Sequence, residues 1–361
     1  MALSANVFAR SKSIVRLDFP FIRLHNSRAA RISPRKSFPL RHRIAASTAA
    51  ANVAADVERP EEISTVNTSW TEFARNVSGE WDGYGAEFTT EGKPIELPES
   101  VVPEAYREWE VKVFDWQTQC PTLAQTEEAT LFYKSIKLLP TVGCEADAAT
   151  HYSIDERHVG SLNNRVSTFA YHPSGCYAAI WPVGDNTTYK LLELEHCLVD
   201  PRNRESRVRL NQVVRVDGTT MTLQNIKVFC EQWYGPFRNG DQLGGCAIRD
   251  SGFASTEAVK VSEVLGVWEG PTSVASFQKP QTNILQELVG DMPHKSRRDQ
   301  DGLVQLPRQL WCSLKERQAG EIWGEVGWLL DRGQALSSRF VFSMEGSLKE
   351  IAIAHEELVS E

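Results

Sequence analysis

The sequence predicts an all-β fold: an antiparallel up-and-down β-barrel and a second, smaller barrel-like domain. Eight segments between residues 79 and 233 alternate polar with apolar residues or are rich in β-branched and aromatic residues, as strands are. Turn sequences at 172–175 and 217–218 separate neighbouring segments and indicate hairpins rather than crossover helices. At 361 residues, the chain has room for about two domains and a tail.

Residues 1–46 have the composition of a chloroplast transit peptide. The first 55 residues contain ten basic residues and one acid, although the whole chain has a net charge of −8. This acid-poor, Arg- and Ser-rich composition is typical of organelle targeting, and the serines favour the chloroplast over the mitochondrion, the alternative. No second apolar signal follows, so the stroma is the expected location. Residues 47–67 are predicted to be a flexible leader.

A short amphipathic helix precedes the predicted first barrel, residues 68–235. Trp70, Phe73, Ala74 and Val77 have the i, i+3, i+4, i+7 spacing of one helix face. The predicted strands that follow are 79–90, 106–119, 129–140, 166–172, 175–182, 188–199, 206–216 and 219–233. About eight antiparallel strands in consecutive hairpins suit a closed barrel whose interior holds one small ligand.

The second domain is predicted over residues 259–361, after a Gly-rich, polar linker at 236–258. Residues 281–302 are interpreted as a polar loop with one short helical patch. The predicted strands are the segment within 261–277 and 308–316, 322–331, 334–344 and 347–356. These strands, about five in number, are expected either to form a small or partial barrel of their own or to complete the barrel of the first domain.

The motif G-x-W-acid-G occurs twice, at residues 79–83 and 266–270, each time after a helix-like stretch and before a series of strands. Gly79 and Gly266 let the chain turn sharply into a strand. Trp81 and Trp268 supply large flat side chains that can plug the closed end of a barrel. Both roles are structural.

A short helix that leads into G-x-W on the first strand of a barrel resembles the calycin superfamily, which includes the lipocalins. Residues 79–99, 265–277 and 337–351 are similar to a plant and cyanobacterial family of tandem lipocalin-like barrels to which no function is assigned. The resemblance implies that an arginine near the last strand packs across the Trp. Arg339 matches this position for Trp268; in the first domain, Arg215 or Arg75 has to replace it.

Candidate ligand-binding residues lie in the first domain. Arg207, Arg209 and Arg215 share one face of the strand 206–216. If that face lines the interior, it could hold a carboxylate or phosphate head group. If the opposite, apolar face is inside, the arginines are solvated, and this interpretation is favoured because unpaired buried arginine is rare. Trp109 and Trp116 are candidates for an aromatic lining, although core packing or barrel plugging is the favoured interpretation of the tryptophans.

No cofactor or metal is predicted, with haem bound through His355 as a remote alternative. Residues 81–85 read W-x-G-x-G, which is similar to nitrobindin-like haem barrels with one late histidine ligand. His355 has the same strand parity as Ile351 and Ile353, which suggests that it faces an interior. The motif lies in the first domain and His355 in the second, which weakens the match. No known catalytic motif occurs in the chain.

The function expected from this sequence is non-catalytic binding of a small hydrophobic or amphipathic molecule, such as a pigment, tetrapyrrole, fatty acid or isoprenoid. The alternatives are a photosynthetic assembly or scaffold factor that contacts plastid proteins, and a calycin-type chromophore lyase. Residues 56–361 carry a net charge of −17, so nucleic acid is not an expected partner. No stretch approaches the ~20 apolar residues of a membrane-spanning helix.

Overall fold

A computed structural model of the chain describes residues 68–139, 151–160, 165–185, 188–241, 252–277, 283–317 and 320–359. They confirm the all-β, antiparallel fold class. They belong to one compact unit, Ile63–Glu361. The predicted transit peptide and leader lie outside the described residues. No described helix is long and apolar enough to cross a membrane.

Three short α-helices and eighteen strands make up the described fold. The helices are α1 (Thr68–Val77), α2 (Glu104–Glu108) and α3 (Val261–Val264). The strands before residue 236 are β1 (Glu80–Phe88), β2 (Asp115–Gln119), β3 (Thr122–Gln125), β4 (Thr130–Leu138), β5 (His151–Val159), β6 (Thr168–Tyr171), β7 (Tyr177–Asp185), β8 (Lys190–Val199), β9 (Ser206–Asp217) and β10 (Thr220–Gly235). The later strands are β11 (Gly266–Ser276), β12 (Leu285–Glu287), β13 (Val289–Arg298), β14 (Leu303–Leu306), β15 (Leu310–Glu316), β16 (Ile322–Asp331), β17 (Gln334–Phe342) and β18 (Leu348–Val359).

These strands form two sheets. The first sheet has eleven strands in the order β12-β6-β7-β8-β9-β10-β1-β2-β4-β3, with β5 also paired to β4. Its pairs are antiparallel except β12 with β6. The second sheet has seven strands in the order β13-β11-β18-β17-β16-β15-β14. Short β12, which is late in the sequence, therefore extends the edge of the first sheet.

Both sheets curl, so each has an inner and an outer face. The inner face is the one that bears Trp81 in the first sheet and Trp268 in the second. In the first sheet, Arg157 on β5 reaches across this face to Glu193 on β8. In the second sheet, Arg298 on β13 reaches Glu325 on β16. Strands that are distant in the sheet order thus approach each other across each inner face.

Helix α1 covers one end of the inner face of the first sheet. Its buried residues are Trp70, Phe73, Ala74 and Val77, as the spacing predicted. The ring centroid of Trp70 lies 4.8 Å from that of Tyr171, and Phe73 contacts Tyr171 at 5.2 Å and Phe169 at 6.2 Å. Closely packed aromatic rings therefore fill this end of the inner face.

The outer faces of the two sheets pack against each other. One apolar cluster includes Leu210 of the first sheet and Val326 of the second, and another includes Leu194 and Phe340. Between these clusters, Nδ1 of buried His196 lies 2.8 Å from Oγ of Ser338. The apolar side of the alternating pattern in β8 and β9 is therefore buried between the sheets.

Several predicted elements differ from the structure. The predicted strand 106–119 is a strand only at its end, where β2 lies. Its first residues belong to helix α2, and an exposed stretch connects the two elements. No residue of α2 is buried, so this part of the chain has no buried face of the kind a strand would have. Strands β3 and β5 were not predicted: β3 has four residues, and β5 is largely exposed and lacks hydrophobic alternation. The predicted loop at 281–302 contains β12 and β13. Strands β3, β5 and β12 add to the number of strands in the first sheet, and β13 adds one strand to the second.

Part of the predicted linker lies in the core. Residues 253–255 form a 3-10 helix, and Phe253 and Ala254 are buried in the apolar cluster between the sheets. The backbone N–H of Ala254 donates to the Asp115 carboxylate at 3.2 Å. The aromatic Phe253 is the residue that distinguishes this stretch from its polar, Gly-rich surroundings.

Candidate ligand-binding site

The two G-x-W motifs have the same local structure. Trp81 and Trp268 are both fully buried. The indole Nε1 of each donates to the carbonyl oxygen four residues earlier, over 2.9 Å to Val77 and 2.8 Å to Val264. Those carbonyls belong to the last residues of α1 and α3. Each tryptophan thus ties the end of a short helix to the inner face of its sheet.

An arginine lies over each of these tryptophans, but neither is one that the resemblance implied. The guanidinium carbon of Arg207 is 4.1 Å from the ring centroid of Trp81, and that of Arg298 is 5.1 Å from the ring centroid of Trp268. Arg339 lies instead over Trp323, at 4.5 Å. The prediction that Arg339 packs across Trp268 is therefore wrong.

Strand register explains this difference. On β18, Trp268 is opposite Leu358, whereas Arg339 is opposite Ala352. Six residues of strand separate these positions, which is about 20 Å. Strand β13 is adjacent to β11, with Arg298 opposite Gly266, so it can supply the arginine.

In the first sheet, neither Arg215 nor Arg75 replaces the expected arginine. Arg215 lies over the ring of Tyr189 at 4.2 Å, and the side chain of Arg75 is largely exposed near Glu72.

Arg207 and Arg209 are buried on the inner face of the first sheet, so the favoured interpretation of a solvated pair is wrong. The Glu231 carboxylate accepts from Nε of Arg207 at 2.6 Å and from Nη2 of Arg209 at 2.7 Å. Nη1 of Arg209 also donates to Glu195 at 3.2 Å. Burial would raise the pKa of Glu231, but the two guanidinium groups hold it below its ordinary value. Arg215, by contrast, is 42% exposed, as that interpretation expected.

The same inner face carries a wider polar network. Glu195 accepts from the Tyr133 hydroxyl at 2.5 Å and from Nε1 of Trp181 at 2.7 Å. Glu193 is bound by Arg157 and Lys227. Burial raises the pKa of Glu193, but these two cations outweigh it and lower the value to about 2. Each of the three buried glutamates of this network is therefore paired with at least two cations.

The two predicted aromatic candidates differ in position. Trp109, at the end of α2, is 61% exposed. Trp116 is buried in a small cluster with Leu97 and Val101, and its ring stacks on Tyr152 at 4.9 Å. The structure brings neither of them to Arg207 or Arg209.

The second sheet repeats the buried ion pairs at one end of its inner face. Arg298 lies over Trp311 at 4.5 Å as well as over Trp268. Nη2 of Arg298 donates to Glu325 at 3.0 Å, and the same nitrogen is bound to Glu356. Burial raises the pKa of Glu356, but Arg298 more than reverses this and lowers it.

Away from these ion pairs, the inner face of the second sheet opens into a pocket of about 400 Å³. Its apolar wall includes Phe277, Trp323 and Val341, contributed by β16, β17 and the residue after β11. Its polar lining includes Ser276, His294, Glu321, Arg339, Lys349 and Glu350. Of the residues singled out in the sequence, only Arg339 lines this pocket.

Arg339 has two partners in this pocket, as Arg207 and Arg298 have in the buried networks, but its shortest contact is longer than theirs. Its Nη2 donates to Glu350 at 3.2 Å, and its Nη1 lies 3.5 Å from Nε2 of His294. Its Nε is buried and has no hydrogen-bond partner among the described residues. Sequence reasoning missed His294, which lies in the segment interpreted as a loop; the alternation His294, Ser296, Arg298 was the available signal.

His355 faces away from this pocket. The inner face of β18 carries Glu350, Ala352, Ala354 and Glu356, whereas Ile351 and Ile353 pack in the cluster between the sheets. His355 lies on the same face of β18 as Ile351 and Ile353, as predicted. That face is the outer one, and His355 is exposed on it. Among the described residues, no group of three or more His, Cys, Asp or Glu side chains could hold a metal ion.

No protein-family model matches the sequence, and no curated protein is similar to it. Among solved structures, the chain is similar to a protein of unknown function from the DUF3598 family of Nostoc punctiforme. The TM-score is 0.47 with 13% sequence identity, over 81% of this chain and 99% of that one.

Proposed function

We propose that the protein binds a small hydrophobic or amphipathic molecule non-catalytically, in the pocket on the inner face of the second sheet. The observation that carries this proposal is the open pocket of about 400 Å³ with an apolar wall and an arginine, Arg339, whose carboxylate partner is partly exposed. Small-molecule sites are concave and roughly 300–1,000 Å³ in volume, with polar groups that orient the ligand. This pocket has such a volume, and its lining combines three apolar with six polar residues. Pigments, tetrapyrroles, fatty acids and isoprenoids remain the candidate ligands.

The first sheet is a less suitable site. Aromatic rings fill its inner face under α1, and Arg207 and Arg209 are already bonded to buried glutamates. A ligand acid that bound these arginines would have to displace Glu231 and leave its charge buried without a partner, which is strongly unfavourable. We therefore place the proposed site at Arg339 rather than at the arginines singled out in the sequence.

The proposed location is the chloroplast stroma, and the test is native mass spectrometry of the mature protein purified from that compartment. A bound small molecule is expected in the natural protein. Val341→Trp should eliminate it, because the larger side chain fills the pocket. The matched control is Val183→Trp in the first sheet, where Val183 is 52% exposed and outside the pocket. Retention of the molecule by Val341→Trp would contradict the proposed site.

A photosynthetic assembly or scaffold factor is the second candidate. The closely packed inner face of the first sheet favours it, because a filled interior leaves only the surface for interactions. Under this alternative, the natural protein gives a clean mass without ligand and co-purifies with other protein subunits. The same purification therefore distinguishes the two functions.

A further inference from the structure

Arg339 differs from the other arginines on the inner faces in how its charge is neutralised. Arg207, Arg209 and Arg298 are bonded to glutamates that are almost completely buried. The Arg339 side chain is 11% exposed, and its ion-pair partner, Glu350, is 33% exposed. A partner in contact with water neutralises a guanidinium group less than a buried one, because solvent screens the interaction.

The donors of Arg339 are also incompletely used. Nη2 is bonded to Glu350, Nε has no partner among the described residues, and Nη1 has only the distant ring nitrogen of His294. Arg207 and Arg298 each leave only Nη1 without a described partner. A buried donor without a partner is unfavourable, because it has lost its hydrogen bond to water. An acceptor that enters between Nη1 and His294 can bond to both, since an Nε2–H of His294 also donates.

Nearby charges do not supply this acceptor. The Glu321 carboxylate is bound to Lys349, and Arg317, which also lies over Trp323, is 3.7 Å from Asp299. Among the described residues, Glu350 is the one carboxylate within ion-pair distance of Arg339. The four charged residues that line the pocket thus form two ion pairs, and it is the donors of Arg339 that do not face Glu350 that remain for a further acceptor beside the apolar wall.

We propose that the ligand is an amphiphile with a single carboxylate head group, held by Arg339 and His294, and an apolar body against Phe277 and Val341. This inference rests on the proposed function and specifies its ligand class. A carboxylate matches the fork of a guanidinium group, and charge-assisted hydrogen bonds are about twice as strong as neutral ones. An uncharged head group loses that gain, and an ammonium head group is repelled by Arg339.

The test uses dodecanoate, dodecanol and dodecylammonium, titrated into the mature protein by calorimetry below their critical micelle concentrations. Dodecanoate is expected to bind at least about tenfold more tightly than dodecanol, which corresponds to ~1.4 kcal/mol. Dodecylammonium should bind most weakly. Arg339→Gln should lower the affinity for dodecanoate to that for dodecanol without changing the latter. Arg215→Gln, at an exposed arginine of the first sheet, is the matched control and should keep the tenfold preference.

Each outcome has a separate meaning. Binding of dodecanoate and dodecanol with equal affinity overturns the carboxylate inference but leaves the proposed function intact. A preference for dodecanoate that survives in Arg339→Gln overturns the role of Arg339. If none of the three probes binds, the proposed apolar pocket itself is contradicted. Circular dichroism checks the fold of each variant, and if Arg339→Gln does not fold, the three probes on the natural protein decide the head group.

Discussion

Glu231 is the carboxylate shared by two buried arginines. It lies opposite Arg207 on the neighbouring strand, and both Arg207 and Arg209 donate to it. All three side chains are almost completely excluded from water. The attraction between the charges offsets a large desolvation penalty, so the pair contributes little net stability, yet the loss of one partner is costly.

Replacement of Glu231 by Gln should therefore destabilise the protein strongly. We expect a loss of ~3–5 kcal/mol in the free energy of unfolding, since a buried positive charge is left without its partner. Urea denaturation, followed by tryptophan fluorescence, measures this change. Asp217→Asn is the control, because the Arg215–Asp217 pair is exposed and is worth at most ~1 kcal/mol. Equal stability of the two variants would show that the buried network does not require Glu231.

The sequence predicted which residues share a strand face, but not which face is inside. Arg207 and Arg209 do lie on one face of β9 and Val208 and Leu210 on the other, and His355 does share a face of β18 with Ile353. The apolar face was expected to line a cavity. In β9 and β18 the apolar face packs between the two sheets, and the face that carries the charged residues is the inner one. Period 2 separates the faces, but only tertiary packing decides their surroundings.

At the scale of the strand, the two glycines of each G-x-W-acid-G motif have separate requirements. Gly79 and Gly266 have φ of +145° and +131°. Gly83 and Gly270 lie so close to a neighbouring strand that a Cβ would be 1.9 Å from the carbonyl oxygen of Cys230 or 2.0 Å from that of His355. The repeat noticed in the sequence is thus a repeated backbone geometry.

Gly79→Ala should consequently disrupt the entry into β1. A Cβ at Gly79 would lie 2.0 Å from Nε1 of Trp233 and 2.8 Å from the carbonyl oxygen of Gly235, in a backbone conformation that L-residues avoid. The expected loss is ~2–4 kcal/mol in the free energy of unfolding. Gly184→Ala in β7, where nothing lies within 4 Å of the added carbon, should change it by less than ~0.5 kcal/mol. Thermal and urea unfolding of both variants measure these changes in the free energy of unfolding. If Gly79→Ala loses as little stability as Gly184→Ala, the required backbone conformation at Gly79 is contradicted.

Strand β13 shows where sequence reasoning failed at this scale. It is an edge strand, and its residues from Val289 to Pro293 are exposed. An edge strand exposed on both faces has no reason to alternate apolar with polar residues, so the main signal for a strand is missing. Two residues of the inner face, His294 and Arg298, were therefore assigned to a loop. By contrast, α1 and most central strands were predictable because their apolar residues recur with the period of a helix or a strand.

Over the whole molecule, the contact between the outer faces joins the two sheets. Phe340 of the second sheet lies against His196 of the first, with ring centroids 4.8 Å apart, and Gln212 of the first donates to the backbone carbonyl of Ser313 in the second at 3.0 Å. These contacts join residues more than a hundred positions apart in sequence, which local patterns do not encode. This arrangement was accordingly not predictable from alternation within single strands.

His196 should make the stability of this contact depend on pH. Burial lowers the pKa of His196 to about 3, whereas a histidine in the unfolded chain titrates near 6.5. The folded protein therefore holds the ring neutral, and the unfolded chain binds a proton first as the pH falls. The stabilisation is fully present above pH ~6.5 and is lost progressively down to pH ~3, by about 1.4 kcal/mol per pH unit.

The measurement is the free energy of unfolding at pH 7 and pH 4.5 for the natural protein and for His196→Gln. Two pH units below 6.5 correspond to ~2–3 kcal/mol. The natural protein should lose about that much more stability than the variant between the two pH values, even though the variant is less stable at pH 7. Other titrating groups are common to both proteins and cancel in the difference. His355→Gln, at the exposed histidine, should retain the pH dependence of the natural protein. If His196→Gln also retains it, the ring of His196 is accessible to protons in the folded state and the two outer faces are not closed around it.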